Sequence, residues 1–101
     1  MADEDPGENE RLLALLESQH DFPGSYSFKI FYRNQPATGD AIVAAIAASC
    51  SLPPSSLSHT LRASSGARFV SMTLAAELDA ATQVLEVYAV LRELDSVISF
   101  F

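Results

Sequence analysis

The chain predicts an α+β domain with the element order βαββαβ. This is a ferredoxin-like sandwich: a four-stranded antiparallel sheet with two helices on one face. Three observations predict it. Residues 26–33 alternate apolar and polar, as do residues 56–64 and 68–78, and the last two runs are joined by a Ser-Ser-Gly-Ala turn. Two stretches with helical spacing, residues 36–50 and 80–94, fall where a split βαβ unit needs its crossovers. A short apolar run, residues 97–101, supplies the fourth strand.

The first 21 residues differ in character from the rest. They hold seven acids and one base, a net charge of −6, whereas the remaining 80 residues carry only −1. We therefore read residues 1–21 as an acidic extension and residues 22–101 as the domain. Residues 1–9 are expected to be disordered, being charged and holding Pro6 and Gly7. Residues 8–19 can form a short amphipathic helix whose Leu12, Leu13, Leu15 and Leu16 make an apolar stripe. A helix this short is marginal alone, so the stripe must pack on something. The sequence Asp21-Phe22-Pro23-Gly24-Ser25 ends it in a turn.

In the first strand Tyr26, Phe28, Ile30 and Tyr32 share one face, and Ser27, Lys29, Phe31 and Arg33 share the other. The all-apolar set is expected to meet the helices. Pro36 suits the first turn of the first crossover helix, where its missing N–H has no consequence. Ile42, Val43, Ile46 and Cys50 form that helix's stripe, and its alanines allow close approach to the sheet. Strands two and three make a hairpin in which Gly66 is free to take positive φ. Asp79 is a good N-cap for the second helix, with Val84, Leu85, Tyr88, Leu91 and Leu94 as its buried stripe.

Two helices on one face leave the other face of the sheet open. Phe31 and Phe69 are placed there, joined by one parity of the last strand, Ile98 and Phe100, with Lys29 and Arg33 beside them; Val97, Phe101 and the apolar residues between them compete for the core, which leaves that parity open. Large apolar residues on an open face call for a partner. Three occupants are compatible with the pattern: the leucine helix of the extension, a second copy of the chain, or single-stranded RNA stacking on the rings.

Several chemistries find no support. The four glycines are isolated, so no phosphate loop or dinucleotide fingerprint is present. His20 and His59 are far apart in sequence and Cys50 is alone, so neither a metal site nor a disulfide is expected. Cys50 reads as a buried structural thiol. No cofactor is expected. The near-neutral domain lacks the basic footprint of a general nucleic-acid binder. No apolar run reaches the roughly 20 residues of a membrane helix. The acidic start does not resemble a signal or transit peptide, and the lone cysteine suits a reducing, cytoplasmic setting.

Three blocks carry a family resemblance. Residues 22–30 (FPGSYSFKI), 64–74 (SSGARFVSMTL) and 83–91 (QVLEVYAVL) followed by Val97 resemble, in order, the blocks of the YbeD family, small bacterial proteins of unknown function. The resemblance covers residues 22–101 and implies a βαββαβ fold similar to ACT regulatory domains. Such domains often bind amino acids at a dimer interface. The loop Arg33-Asn34-Gln35 stands where an ACT-type ligand would meet a helix N-terminus, although the Asp-x-x-Gly pattern of those loops is missing. The leading expectation is thus a small non-enzymatic module that regulates or scaffolds a partner, self-associating as a homodimer through the open face or a sheet edge. An amino-acid sensor is the rival, and RNA binding the third reading.

Overall fold

A computed structural model describes residues 6–101. Helix α1 (Pro6–Gln19) is followed by β1 (Gly24–Arg33), α2 (Thr38–Cys50), β2 (Ser58–Ala63), β3 (Phe69–Leu78), α3 (Thr82–Arg92) and β4 (Val97–Phe100). The four strands form one antiparallel sheet in the order β2-β3-β1-β4. The pairing of β1 with β3 is its spine. Ten consecutive residues of each strand face one another without a break, from Gly24 opposite Leu78 to Arg33 opposite Phe69.

The period of two in these strands separates the faces cleanly. Tyr26, Phe28, Ile30 and Tyr32 of β1 are buried, with Val70, Met72, Leu74, Ala76 and Leu78 of β3 beside them. Helices α2 and α3 supply Ile42, Val43, Ile46, Ala47, Val84, Val87 and Leu91 to the same core. Burying a side chain of this size is worth about 1.5–3 kcal/mol, so this layer is the main source of stability.

Helix ends depart from the expected bounds for local reasons. Helix α2 begins at Thr38 rather than Pro36. Ala37 takes φ 62, and the Thr38 amide donates to the Gln35 carbonyl, so Pro36 belongs to a turn before the helix. The helix ends in a Schellman arrangement: Ser51 has φ 57, and the Leu52 amide reaches back to the Ala47 carbonyl at 2.9 Å. Asp79 does not cap α3. Instead the Gln83 side-chain oxygen accepts from the amides of Asp79 (2.6 Å) and Ala80 (3.1 Å). Gly66 adopts φ 81 in the turn between β2 and β3.

The extension is more ordered than expected. Helix α1 starts at Pro6, which leaves residues 1–5 of the expected disordered stretch outside the described part. It packs in the helix layer, not over the open face. Leu16 joins the core, and Leu12 lines a surface cleft together with Leu85, Tyr88 and Arg92 of α3. Its other end, at Glu17 and His20, lies by Asp79 to Ala81, so α1 runs antiparallel to α3. Leu15 of the stripe stays half-exposed.

Three groups in or against this core have raised pKa values. Burial raises the Cys50 thiol above its ordinary 9.0, with Glu86 adding to the effect. Burial first and Asp40 second raise the Tyr32 phenol above 10.0. Burial raises Tyr88 further, helped by its 3.3 Å hydroxyl contact with Tyr26. In each case the folded chain holds the proton more tightly than the unfolded chain. Below the unfolded pKa values both states keep their protons and nothing is lost. Above them only the unfolded state releases protons, so stability falls as the pH rises. The urea midpoint should therefore drop between about pH 8 and pH 10.5, and a constant midpoint would contradict the burial of these groups.

Candidate functional site

The open face is built from the alternate residues of the same strands, and the registers fix its layout. Arg33 stands opposite Phe69. The next row runs Ser99, Phe31, Ser71, Arg62 across β4, β1, β3 and β2. The row after it holds Lys29, Thr73 and Thr60, extended by Phe101, whose amide and carbonyl exchange hydrogen bonds with Lys29 at 2.9 and 2.7 Å. Ser27, Ala75 and Ser58 follow, and then Ser25 and Glu77. Rows lie about 7 Å apart and strands about 4.8 Å apart.

Phe31 and Phe69 are diagonal neighbours in this register, and their rings stack at 5.6 Å with 23° between planes. Phe31 remains 37% exposed and Phe101 73% exposed. Cations surround the rings. Lys29 and Arg62 are exposed and their side chains have no ion-pair or hydrogen-bond partner among the described residues, and the Arg68 side chain stands at the rim in the same condition. Arg33 gives one guanidinium N–H to the Asp95 carbonyl at 3.1 Å.

The last strand requires a correction. Phe100 was expected on this face, yet it lies on the helix side. Its ring meets Tyr88 at 5.2 Å, and the Arg92 guanidinium stands 5.9 Å over it. The cause is a bulge. Tyr32 faces Val97 while its neighbour Phe31 faces Ser99, so Ile98 is the extra residue and the parity beyond it is reversed. Phe101 takes the place expected for Phe100, and Ile98 is exposed at the edge.

The expected ligand loop is occupied by its own structure. Asn34 donates from its side chain to the Ala67 carbonyl at 2.8 Å and from its backbone to Arg68. With Arg33 tied to Asp95, two of the three proposed ligand groups brace neighbouring loops, and of the three only the Gln35 side chain makes no hydrogen bond among the described residues. His59 shares the helix side of β2 with Leu61 and Ala63, but all of β2 is exposed because the helix layer stops short of it. Cys50 is buried. Among the described residues no three His, Cys, Asp or Glu side chains group to hold a metal ion, and no helix is long and apolar enough to cross a membrane.

Reasoning from the sequence missed Arg62 and Phe101 as members of this face. The alternation of β2 already set Arg62 apart from the apolar parity and could have found it; nothing in residues 97–101 signals the bulge.

Residues 17–101 match the family described as "Protein of unknown function (DUF493)". The chain belongs to the DUF493 family. YbeD is a member of DUF493, so the blocks recognised in the sequence identify the same group. No curated protein and no solved structure matches the chain. The DUF493 match starts at Glu17, near the end of α1, and takes in every strand of the open face.

Proposed function

We propose that this DUF493 protein is a non-enzymatic binding module whose recognition surface is the open face of its sheet. The observation that carries the reading is the Phe31–Phe69 stack with exposed Phe101 and unpaired Lys29 and Arg62 around it. Strands hold these groups in fixed register on the back of a filled core. The site is therefore formed before any partner arrives and binding does not have to order it. We read the frame as ferredoxin-like. The antiparallel order β2-β3-β1-β4, with each βαβ crossover returning over the same face, supports this.

A second reading concerns the sheet edges. Strand β4 is short and bulged, which discourages further pairing. Strand β2 has six residues in unbroken register, no proline, one charged residue, and Leu61 at 55% exposure. An edge so little protected favours pairing with a second copy, which would extend the sheet and cover Leu61. Light scattering should then show a concentration-dependent dimer that Leu61→Lys disperses without loss of helical signal. A chain that stays monomeric at high concentration, or a dimer unaffected by L61K, would contradict edge pairing.

The main reading is tested by photo-crosslinking in cells that make the protein. Phe31→p-benzoylphenylalanine should give discrete adducts, and the same group at exposed Ala44 on α2 should not. Absence of adducts at 31, or equal labelling from both positions, would overturn it.

A further inference from the structure

From the composition and charge of the open face we infer that its partner is a single-stranded nucleic acid. The inference rests on the proposed role of that face and adds the chemistry of what it binds.

Charge is segregated in this molecule. The chain carries −7 overall. Yet the open face holds Lys29, Arg33 and Arg62 against one acid, Glu77, at its far end. The helices carry Glu8, Glu10, Glu17, Asp40 and Glu86 against Arg11 and Arg92, all exposed, on the layer behind the sheet. At physiological salt exposed charges more than about 8 Å apart are largely screened from one another, so the face acts locally as a cationic surface.

The neutral residues of the face decide between anionic partners. A protein interface is enriched in aromatic side chains, methionine and arginine and depleted in serine, alanine and lysine. Apart from the three phenylalanines, this face has no aliphatic side chain larger than Ala75 in its registered rows. The remaining places are serines and threonines. Rings, cations and hydroxyls are the three groups that single-stranded nucleic acid uses: bases stack on aromatics, phosphates pair with Lys and Arg, and hydroxyls bond to phosphate and sugar oxygens. Along β1 the order is cation, ring, cation, with Phe31 about 7 Å from both the Lys29 and the Arg33 positions. A duplex offers no exposed base faces to the rings, so the preference is for single strands.

The experiment is a fluorescence-anisotropy titration of the full chain into labelled oligouridine, with oligothymidine and a duplex RNA of equal length in parallel. Saturable binding of a single strand that weakens with salt is expected, with the duplex bound at least tenfold more weakly. Phe31→Ala and Phe69→Ala should each weaken binding roughly 5- to 150-fold while Phe31→Tyr retains it. Lys29→Gln and Arg62→Gln should each reduce the salt slope by about 0.7. Oligouridine binding tighter than oligothymidine assigns RNA, and the reverse assigns DNA. No binding at low salt, equal binding of duplex, or affinity indifferent to folded F31A and F69A would overturn the inference. The two readings fail separately. A protease-sensitive, nuclease-resistant adduct at position 31 without oligonucleotide binding leaves the open-face module standing and removes the nucleic acid. No adduct at 31 removes both.

Discussion

The unbroken pairing of β1 with β3 is the constraint on which the rest of this structure depends. Ten residues of each strand lie in register, and the two-residue period then commits every side chain to one of two faces. A slip of β1 by one place would carry Phe28 and Ile30, both essentially fully buried, out of the core and send Lys29 into it, and a slip of β3 would do the same with Met72, Leu74 and Ser71. The cost of that exchange, about 1.5–3 kcal/mol for each large apolar group exposed and more for a buried charge, fixes the register. The same register therefore fixes the position of Phe31 beside Phe69, with Lys29 one row away. Packing on one side determines recognition geometry on the other.

Helices α2 and α3 complete the filled side, and α1 lies antiparallel along α3 rather than crossing the sheet. Hydrophobic burial explains this choice. Leu12 and Leu16 find Leu85, Tyr88 and the core edge, whereas the open face would set the acids of α1 among cations but give its leucines mainly hydroxyl neighbours. The arrangement leaves the helix layer acidic and the sheet face basic. The DUF493 match begins near the end of α1, so the acidic helix lies largely outside the shared region while the whole sheet lies within it.

Much of this was legible from residue order. The alternation of residues 26–33 and 68–78 separates core from open face without knowledge of the fold, because period two leaves no other choice once one set is all apolar. It was weaker wherever a single local hydrogen bond decides. Asp79 has the character of a cap, but Gln83 reaches both amides first. Pro36 suits a first turn, but Ala37 turns the chain before the helix starts. Phe100 and Phe101 exchange faces because Ile98 is bulged, and both are phenylalanine, so composition gives no hint of parity. Net charge misled in a different way. Summed along the chain it argues against a polyanion partner, whereas sorted by strand face it places Lys29, Arg33 and Arg62 together.

A recognition surface on this sheet requires one face to be filled and the other open to solvent in the free protein. Paramagnetic relaxation by a soluble gadolinium chelate, read on the aromatic side-chain protons by NMR, measures this directly. The rings of Phe31 and Phe101 should relax strongly, Phe69 moderately, and Phe28 scarcely at all. Shielding of Phe31 and Phe101 to the level of Phe28 would mean that the face is already covered, and would contradict its role as a recognition surface.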